Sequence, residues 1–373
     1  MRFVNAYVFD GEGFRFGGFE VEEGRFGAFL PDVTEGGEDL QGAYVLPGLV
    51  DVHTHGAAGA DFSDGNEEGL IRMAAHLAGC GVTSFAPTSM TLPYETLEKA
   101  YRTAVKLSEK QPEGCARIAG IHMEGPFFSE KKKGAQNAAY LRLPDAEAVS
   151  RLREAAKGLL KIVDVAPELE GAAAFTKEVS RYCTVSVAHT DANYEETRAV
   201  YEAGATHLTH LYNAMPGIHH RNPGVIGAAS ERENVVAELI GDGLHVHPSA
   251  VRMAFKLFPG RICLISDSLR CCGMPDGEYE LGGQQVFLKG GVARLEDGTI
   301  AGAASDLFAD MRNVIAFGIP VAEAVRSATI IPAREIGRDD EIGSIEAGKL
   351  ADFVVCTPEL KRKAVYIGGR RLG

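Results

Sequence analysis

The chain has no tryptophan, and none of its apolar runs approaches the ~20 residues that a membrane-spanning helix requires. Its opening residues, Met1-Arg2-Phe3-Val4-Asn5, lack an apolar core of signal-peptide length, so a cytoplasmic location is expected. Cysteine is present but unpatterned. The seven residues, Cys80, Cys115, Cys183, Cys263, Cys271, Cys272 and Cys356, are odd in number, form no Cys-x-x-Cys and have no zinc-ribbon spacing. A disulfide framework is therefore set aside, and free thiols in a reducing compartment are expected. Positive charge is also short. With 38 Lys and Arg against 51 Asp and Glu, the net charge is −13, which argues against nucleic acid as a partner. One small anionic substrate needs only two or three local cations and stays open.

What is present is a 373-residue soluble composition with 44 glycines, long enough for a (β/α)8 barrel of about 250 residues with chain left over. Residues 1–46 form short Gly- and Phe-rich segments that read as antiparallel strands. From Pro47 the texture changes to apolar strands alternating with amphipathic helical stretches, the signature of a parallel sheet with crossover helices. Eight strands are expected, at Val45–His53, Val82–Pro87, Ala116–Met123, Ile162–Ala166, Thr184–His189, Thr206–His210, Val235–Ile240 and Arg261–Ser266. Helices are expected between them, except across the long Gly- and Pro-containing connection 212–233, where helical pattern is weak. A further β excursion lies at Tyr279–Ile300, and strand pattern returns in the tail. The reading is α/β: a TIM-type barrel over 47–345 and a small β-sandwich domain from 1–46 plus 346–373.

Active residues of such barrels gather at the C-terminal ends of the strands. The first expected strand ends in His53-Thr54-His55, whose imidazoles share a face about 6.6 Å apart, a spacing that a metal can bridge. The third ends in His122-Met123-Glu124, the fifth in His189-Thr190-Asp191, the sixth in His207-Leu208-Thr209-His210 and the eighth in Ser266-Asp267-Ser268. Imidazoles and carboxylates at five of eight strand ends point to a metal site. The bland readings go to His76 on a helix, to His247, and to His207, placed three residues before His210 and so expected on the opposite strand face. His122 shares a face with Glu124 and is expected to orient a ligand rather than to be one.

This pattern resembles the amidohydrolase superfamily, and more narrowly the N-acetylglucosamine-6-phosphate deacetylase family. The matching segments are Pro47–Gly56, His122-Met123-Glu124-Gly125-Pro126-Phe127, Ala188-His189-Thr190, Thr209–Pro216 and Asp242-Gly243-Leu244-His245-Val246. The resemblance implies hydrolysis of the acetamide of N-acetylglucosamine 6-phosphate in amino-sugar catabolism and cell-wall sugar recycling. It implies that Glu124, His189 and His210 bind a principal divalent metal, and that His53 and His55 bind a second, with Glu124 able to bridge. One or two ions per subunit are expected: zinc, or iron, manganese or cobalt. Asp267 is implied as the acid/base residue and His245 as the group holding the carbonyl or a sugar hydroxyl.

For the phosphate, the resemblance implies Asn213 and Ala214 through main-chain and amide groups, with Arg221 as the bidentate cation. An arginine or histidine of this kind can come from a neighbouring subunit, which implies a homodimer and gives His219 or His220 the same candidacy. Gln136 stands where relatives carry histidine or glutamine near the substrate carbonyl, while Lys131 to Lys133 read as a solvated loop. Ser266-Asp267-Ser268 and Ile300-Ala301-Gly302-Ala303 depart from the usual Thr-Asp-Ala and Leu-Ala-Gly-Ser, changes that bear on substrate preference and spare every ligand. The rival expectations are a deacetylase of another N-acyl amino sugar, a cyclic-amide hydrolase, or a non-catalytic barrel kept as a binding module.

Overall fold

In the computed structural model, which describes residues 1–373, the two chain ends build one sheet. Its seven strands run in the order Arg370–Arg371, Arg362–Ile367, Phe353–Cys356, Glu38–Pro47, Arg2–Phe9, Phe14–Glu22 and Arg25–Pro31. The join is antiparallel, with Phe353 opposite Pro47 and Cys356 opposite Tyr44. Alternation places Phe3, Phe19, Phe26, Phe353 and Tyr366 on one face, where they form a buried aromatic cluster. Phe353 stacks on Tyr366 with centroids 4.4 Å apart. Each such ring stabilises by about 1.5–3 kcal/mol on burial, enough to anchor ends 350 residues apart in sequence.

Eight parallel strands make the barrel: Leu49–Thr54, Val82–Ser89, Ile121–Met123, Leu160–Val165, Thr184–Val187, His207–Leu208, Val236–Ile240 and Ile262–Ile265. Each pairs with the next. The circle is closed between first and last by irregular bonds at the mouth, Asp267 N–H to His53 O at 2.9 Å and His55 N–H to Ser268 O at 2.9 Å. The closure thus lies at the catalytic end of the strands. Helices such as Glu67–Gly79, Tyr94–Lys110 and Tyr194–Glu202 pack outside and join a 70-residue apolar core.

Two boundaries differ from the sequence expectation. Val45 and Leu46 belong to the terminal sheet, because Pro47 lacks a donor and the chain turns at Gly48. A Cβ at Gly48 would lie 2.0 Å from Thr83 Oγ1, so only glycine fits that turn. The long connection after the sixth strand contains a helix, Gly224–Ser230, that its glycines concealed. Beyond the barrel, the strands Gly277–Leu281, Gln284–Lys289, Val292–Leu295 and Ile300–Ala303 form a separate antiparallel sheet. It is tied to the mouth through Leu269 N–H to Ala303 O at 3.0 Å, and Gln284 Nε2 donates to Ala135 O at 2.5 Å. No helix is long and apolar enough to cross a membrane.

Candidate active site

Six side chains from five strand ends converge within the barrel mouth. Glu124 is the hub. Its Oε1 lies 3.1 Å from His189 Nε2 and 3.1 Å from His210 Nε2, which are themselves 3.0 Å apart. The same carboxylate reaches the first strand, with Oε1 3.5 Å from His53 Nε2 and Oε2 3.3 Å from His55 Nε2. His53 and His55 Nε2 are 3.3 Å apart. Two donor sets therefore share Glu124: Glu124–His189–His210 and His53–His55–Glu124, all buried. Asp267 closes the ring, its Oδ1 3.3 Å from His55 Nε2 and 3.5 Å from His53 Nε2.

The donor chemistry fits a divalent metal. His53 turns Nδ1 to Glu238 at 2.8 Å, His55 to the Thr88 carbonyl at 3.1 Å and His189 to the Lys132 carbonyl at 2.8 Å. Each Nδ1–H donates outward, so each Nε2 turns a lone pair to the centre, where converging lone pairs and carboxylates call for a cation. Without a metal, protons would have to supply that charge. Burial disfavours the His55 cation, yet hydrogen bonds to Asp267 and Glu124 lift its pKa to about 10. Burial works to raise Glu124, but His53, His189 and His210 hold it well below the carboxylate range.

His189, His210 and Asp267 all stand just past their strands with positive φ, at 43°, 29° and 50°. This left-handed backbone costs a non-glycine residue on the order of 1 kcal/mol or more, and here it turns each side chain back over the barrel mouth. Gln136 supports the hub: its Nε2 donates to Glu124 Oε2 at 2.5 Å and its Oε1 accepts Thr91 N–H at 2.8 Å. His122 packs on His53 and bonds Asp164 at 2.9 Å and the Val52 carbonyl at 3.1 Å; with His53 and Glu238 it forms a third buried cluster behind the two sets that share Glu124.

Above this floor is a cavity of about 330 Å3 lined by His55, Glu124, His189, His210 and Asp267, and by Gln136, Asn213, Ala214 and His245. Thr299, Ile300, Ala301 and Gly302 of the added sheet form one wall. His245 is pinned by Asp242, Nδ1 to Oδ2 at 2.6 Å. The cap of the following helix, Pro248–Leu257, is His247, whose ring nitrogen accepts Ser249 N–H at 3.2 Å. Arg221 and His219 do not reach this chain's cavity. Arg221 is exposed, bonded to His220 Nε2 at 2.6 Å, and faces a shallow surface with Tyr194 and Glu231. Lys131 is exposed and pairs with Asp191 at 3.1 Å, but it and Lys132 also line the cavity, which corrects the purely solvated reading.

The family model for the amidohydrolase family matches residues 44–372. The chain belongs to that family. Its members are metal-dependent, and this member is a hydrolase acting on an amide. It is 38% identical over 321 residues to the N-acetylglucosamine-6-phosphate deacetylase of Bacillus subtilis, covering 84% of this chain and 81% of that protein. It is also 35% identical over 355 residues to an N-acetylgalactosamine-6-phosphate deacetylase of Escherichia coli O157:H7, covering 94% of this chain and 93% of that one. Among solved structures it resembles a mutant of the Mycobacterium smegmatis N-acetyl-D-glucosamine-6-phosphate deacetylase in complex with N-acetyl-D-glucosamine-6-phosphate. The TM-score is 0.94 at 32% identity, covering 100% of this chain and 99% of that one.

Sequence reasoning misplaced His207 and missed Glu238. His207 points into the barrel, Nε2 to Glu238 Oε1 at 3.1 Å and Nδ1 to Glu335 Oε2 at 2.7 Å. The face rule failed because the strand stops at Leu208 and the backbone reverses at His210. Glu238 had a signal of its own: a lone carboxylate inside the apolar run Val235-Val236-Ala237-Glu238-Leu239-Ile240 must have a buried partner.

Proposed function

We propose that this protein hydrolyses the acetamide of N-acetyl-D-glucosamine 6-phosphate to D-glucosamine 6-phosphate and acetate. The observation that carries the reading is Asp267, buried at the cavity floor within 3.5 Å of ligands of the second donor set. Glu124, His189 and His210 would hold a principal divalent metal, and His53 and His55 a second that shares Glu124. A metal held there supplies Lewis acidity toward an amide carbonyl and makes water acidic enough to react near neutral pH. Asp267 takes a proton from the attacking water and delivers it to the amine nitrogen as the C–N bond breaks. The water oxygen leaves in acetate. His245, whose Nδ1–H donates to Asp242, keeps a bare Nε2 that can accept from a sugar hydroxyl. Gln136 fixes Glu124. Zinc, iron, manganese and cobalt all suit such a ligand set.

The phosphate is placed at Asn213 and Ala214, with Arg221 or His219 entering from a second copy of the chain in a homodimer. Arg221 stands on an exposed loop that opens away from its own cavity, which supports that reading. A second substrate, the galacto epimer, is favoured by the similarity to the E. coli enzyme.

Acetate release from N-acetylglucosamine 6-phosphate, N-acetylgalactosamine 6-phosphate and unphosphorylated N-acetylglucosamine tests both. We expect the highest kcat/KM for the first, with at least a ~100-fold loss when the phosphate is removed, as charge-assisted hydrogen bonds would give. A preference for the galacto epimer selects the second reading. Equal kcat/KM with and without phosphate removes the phosphate assignment.

A further inference from the structure

Glu238 stands behind the donor sets, and every side of its carboxylate is occupied. Oε2 faces His53 Nδ1 at 2.8 Å and accepts the His210 backbone N–H at 3.2 Å. Oε1 faces His207 Nε2 at 3.1 Å, and His122 Nδ1 lies 3.7 Å away. Glu238, His207 and His53 are all fully buried. With Oε2 engaged by His53 and His210 and Oε1 by His207, Glu238 acts behind the ligands. It controls one.

An imidazole that donates Nδ1–H to Glu238 has its bare nitrogen, Nε2, directed at Glu124 and His55. The opposite tautomer would put a proton where the metal belongs and press a nitrogen lone pair against a carboxylate oxygen at 2.8 Å. His55, the other imidazole of that set, has only the neutral Thr88 carbonyl behind it, 3.1 Å from Nδ1. Of the first set, His189 is held by the Lys132 carbonyl and Glu124 by Gln136, and His210 meets Glu238 only through its backbone N–H, not through its imidazole. We propose that Glu238 is a positioning residue that determines whether the second metal position, at His53 and His55, fills. The inference rests on the metal-dependent reading of the site and adds the group on which its second ion depends.

The test counts metal. Full-length protein stripped of metal is titrated with Zn2+ under equilibrium dialysis, for wild type, Glu238→Gln, the double variant Glu238→Leu with His207→Phe, and a His53→Asn/His55→Asn reference. The double variant removes the fully buried Glu238–His207 pair together, and the one partner it releases, Glu335, has a side chain 13% exposed and so within reach of water. Wild type should take up two equivalents. Glu238→Gln should weaken the second by about 10–100-fold and leave the first unchanged. The double variant should match the reference, retaining one equivalent. The proposal is overturned if both Glu238 variants bind the second Zn2+ as wild type does, if both equivalents weaken in step, or if the reference binds like wild type. Acetate release measured in parallel keeps the readings apart, because failure on every sugar phosphate would remove the substrate assignment while the Zn2+ count still judges Glu238.

Discussion

Asp267 is held by its backbone before its side chain does anything. Its N–H bonds His53 O at 2.9 Å and its carbonyl accepts Ala303 N–H at 2.9 Å, which fixes the residue at φ 50° between the first strand and the added sheet. Burial pushes its carboxyl toward the neutral form, but the hydrogen bond to His55 and the charges of His53 and His55 outweigh this and hold the pKa below the usual value. In the metal-free site the group is therefore a carboxylate, and a cation held by the same imidazoles would favour the same form, which can take a proton from water. Asp267→Asn keeps the shape and removes that capacity. We expect kcat for acetate release to fall about 10²–10⁴-fold with KM and bound metal little changed. Undiminished turnover by that variant would refute the assigned role.

At the scale of elements, His207 ties three of them together: its own strand, the strand of Glu238, and the helix Ile330–Glu335 at the barrel floor. Burial opposes its charge, but hydrogen bonds to Glu238 and Glu335 raise the pKa from 6.5 to about 10. A raised histidine pKa stabilises the native state fully below the unfolded value and loses that contribution as pH climbs through the folded one. The stability gap between wild type and His207→Gln, measured on metal-loaded protein by urea unfolding, should be widest below pH 6.5 and shrink steadily toward pH 10. A gap constant across that window would mean that His207 acts by packing alone. This tie also shows where sequence became opaque. Strand ends carrying His53, Glu124, His189 and His210 were legible because apolar runs stop there and polar residues begin. The side from which His207 acts was not, since it depends on a two-residue strand and a backbone reversal at His210 that no alternation rule anticipates. Gly224–Ser230 was hidden for a related reason: a seven-residue segment with two glycines has little helix propensity, and burial of Val225, Ile226, Ala228 and Ala229 supplies what propensity lacks.

At the scale of the whole molecule, the terminal sheet, barrel and added sheet complete a cavity floor and walls, but they place no arginine at the cavity. Arg221 sits on a loop open to solvent, and Ile218 three residues before it and Leu244 beside His245 are large apolar side chains, each 54% exposed. If Arg221 grips the phosphate of the neighbouring subunit, two inactive chains can repair each other. Arg221→Met lacks the phosphate cation but keeps Asp267, and Asp267→Asn lacks the proton carrier but keeps Arg221. In a mixed dimer, the Arg221→Met chain contributes Asp267 to a site whose Arg221 comes from its partner. Co-expressing the two should recover up to about a quarter of wild-type kcat, because half of randomly paired C2 dimers are mixed and each holds one complete site. Recovery requires the arginine to cross the interface. If it served its own chain, every site in the mixed dimer would lack either Arg221 or Asp267, and activity would stay at the level of the single variants.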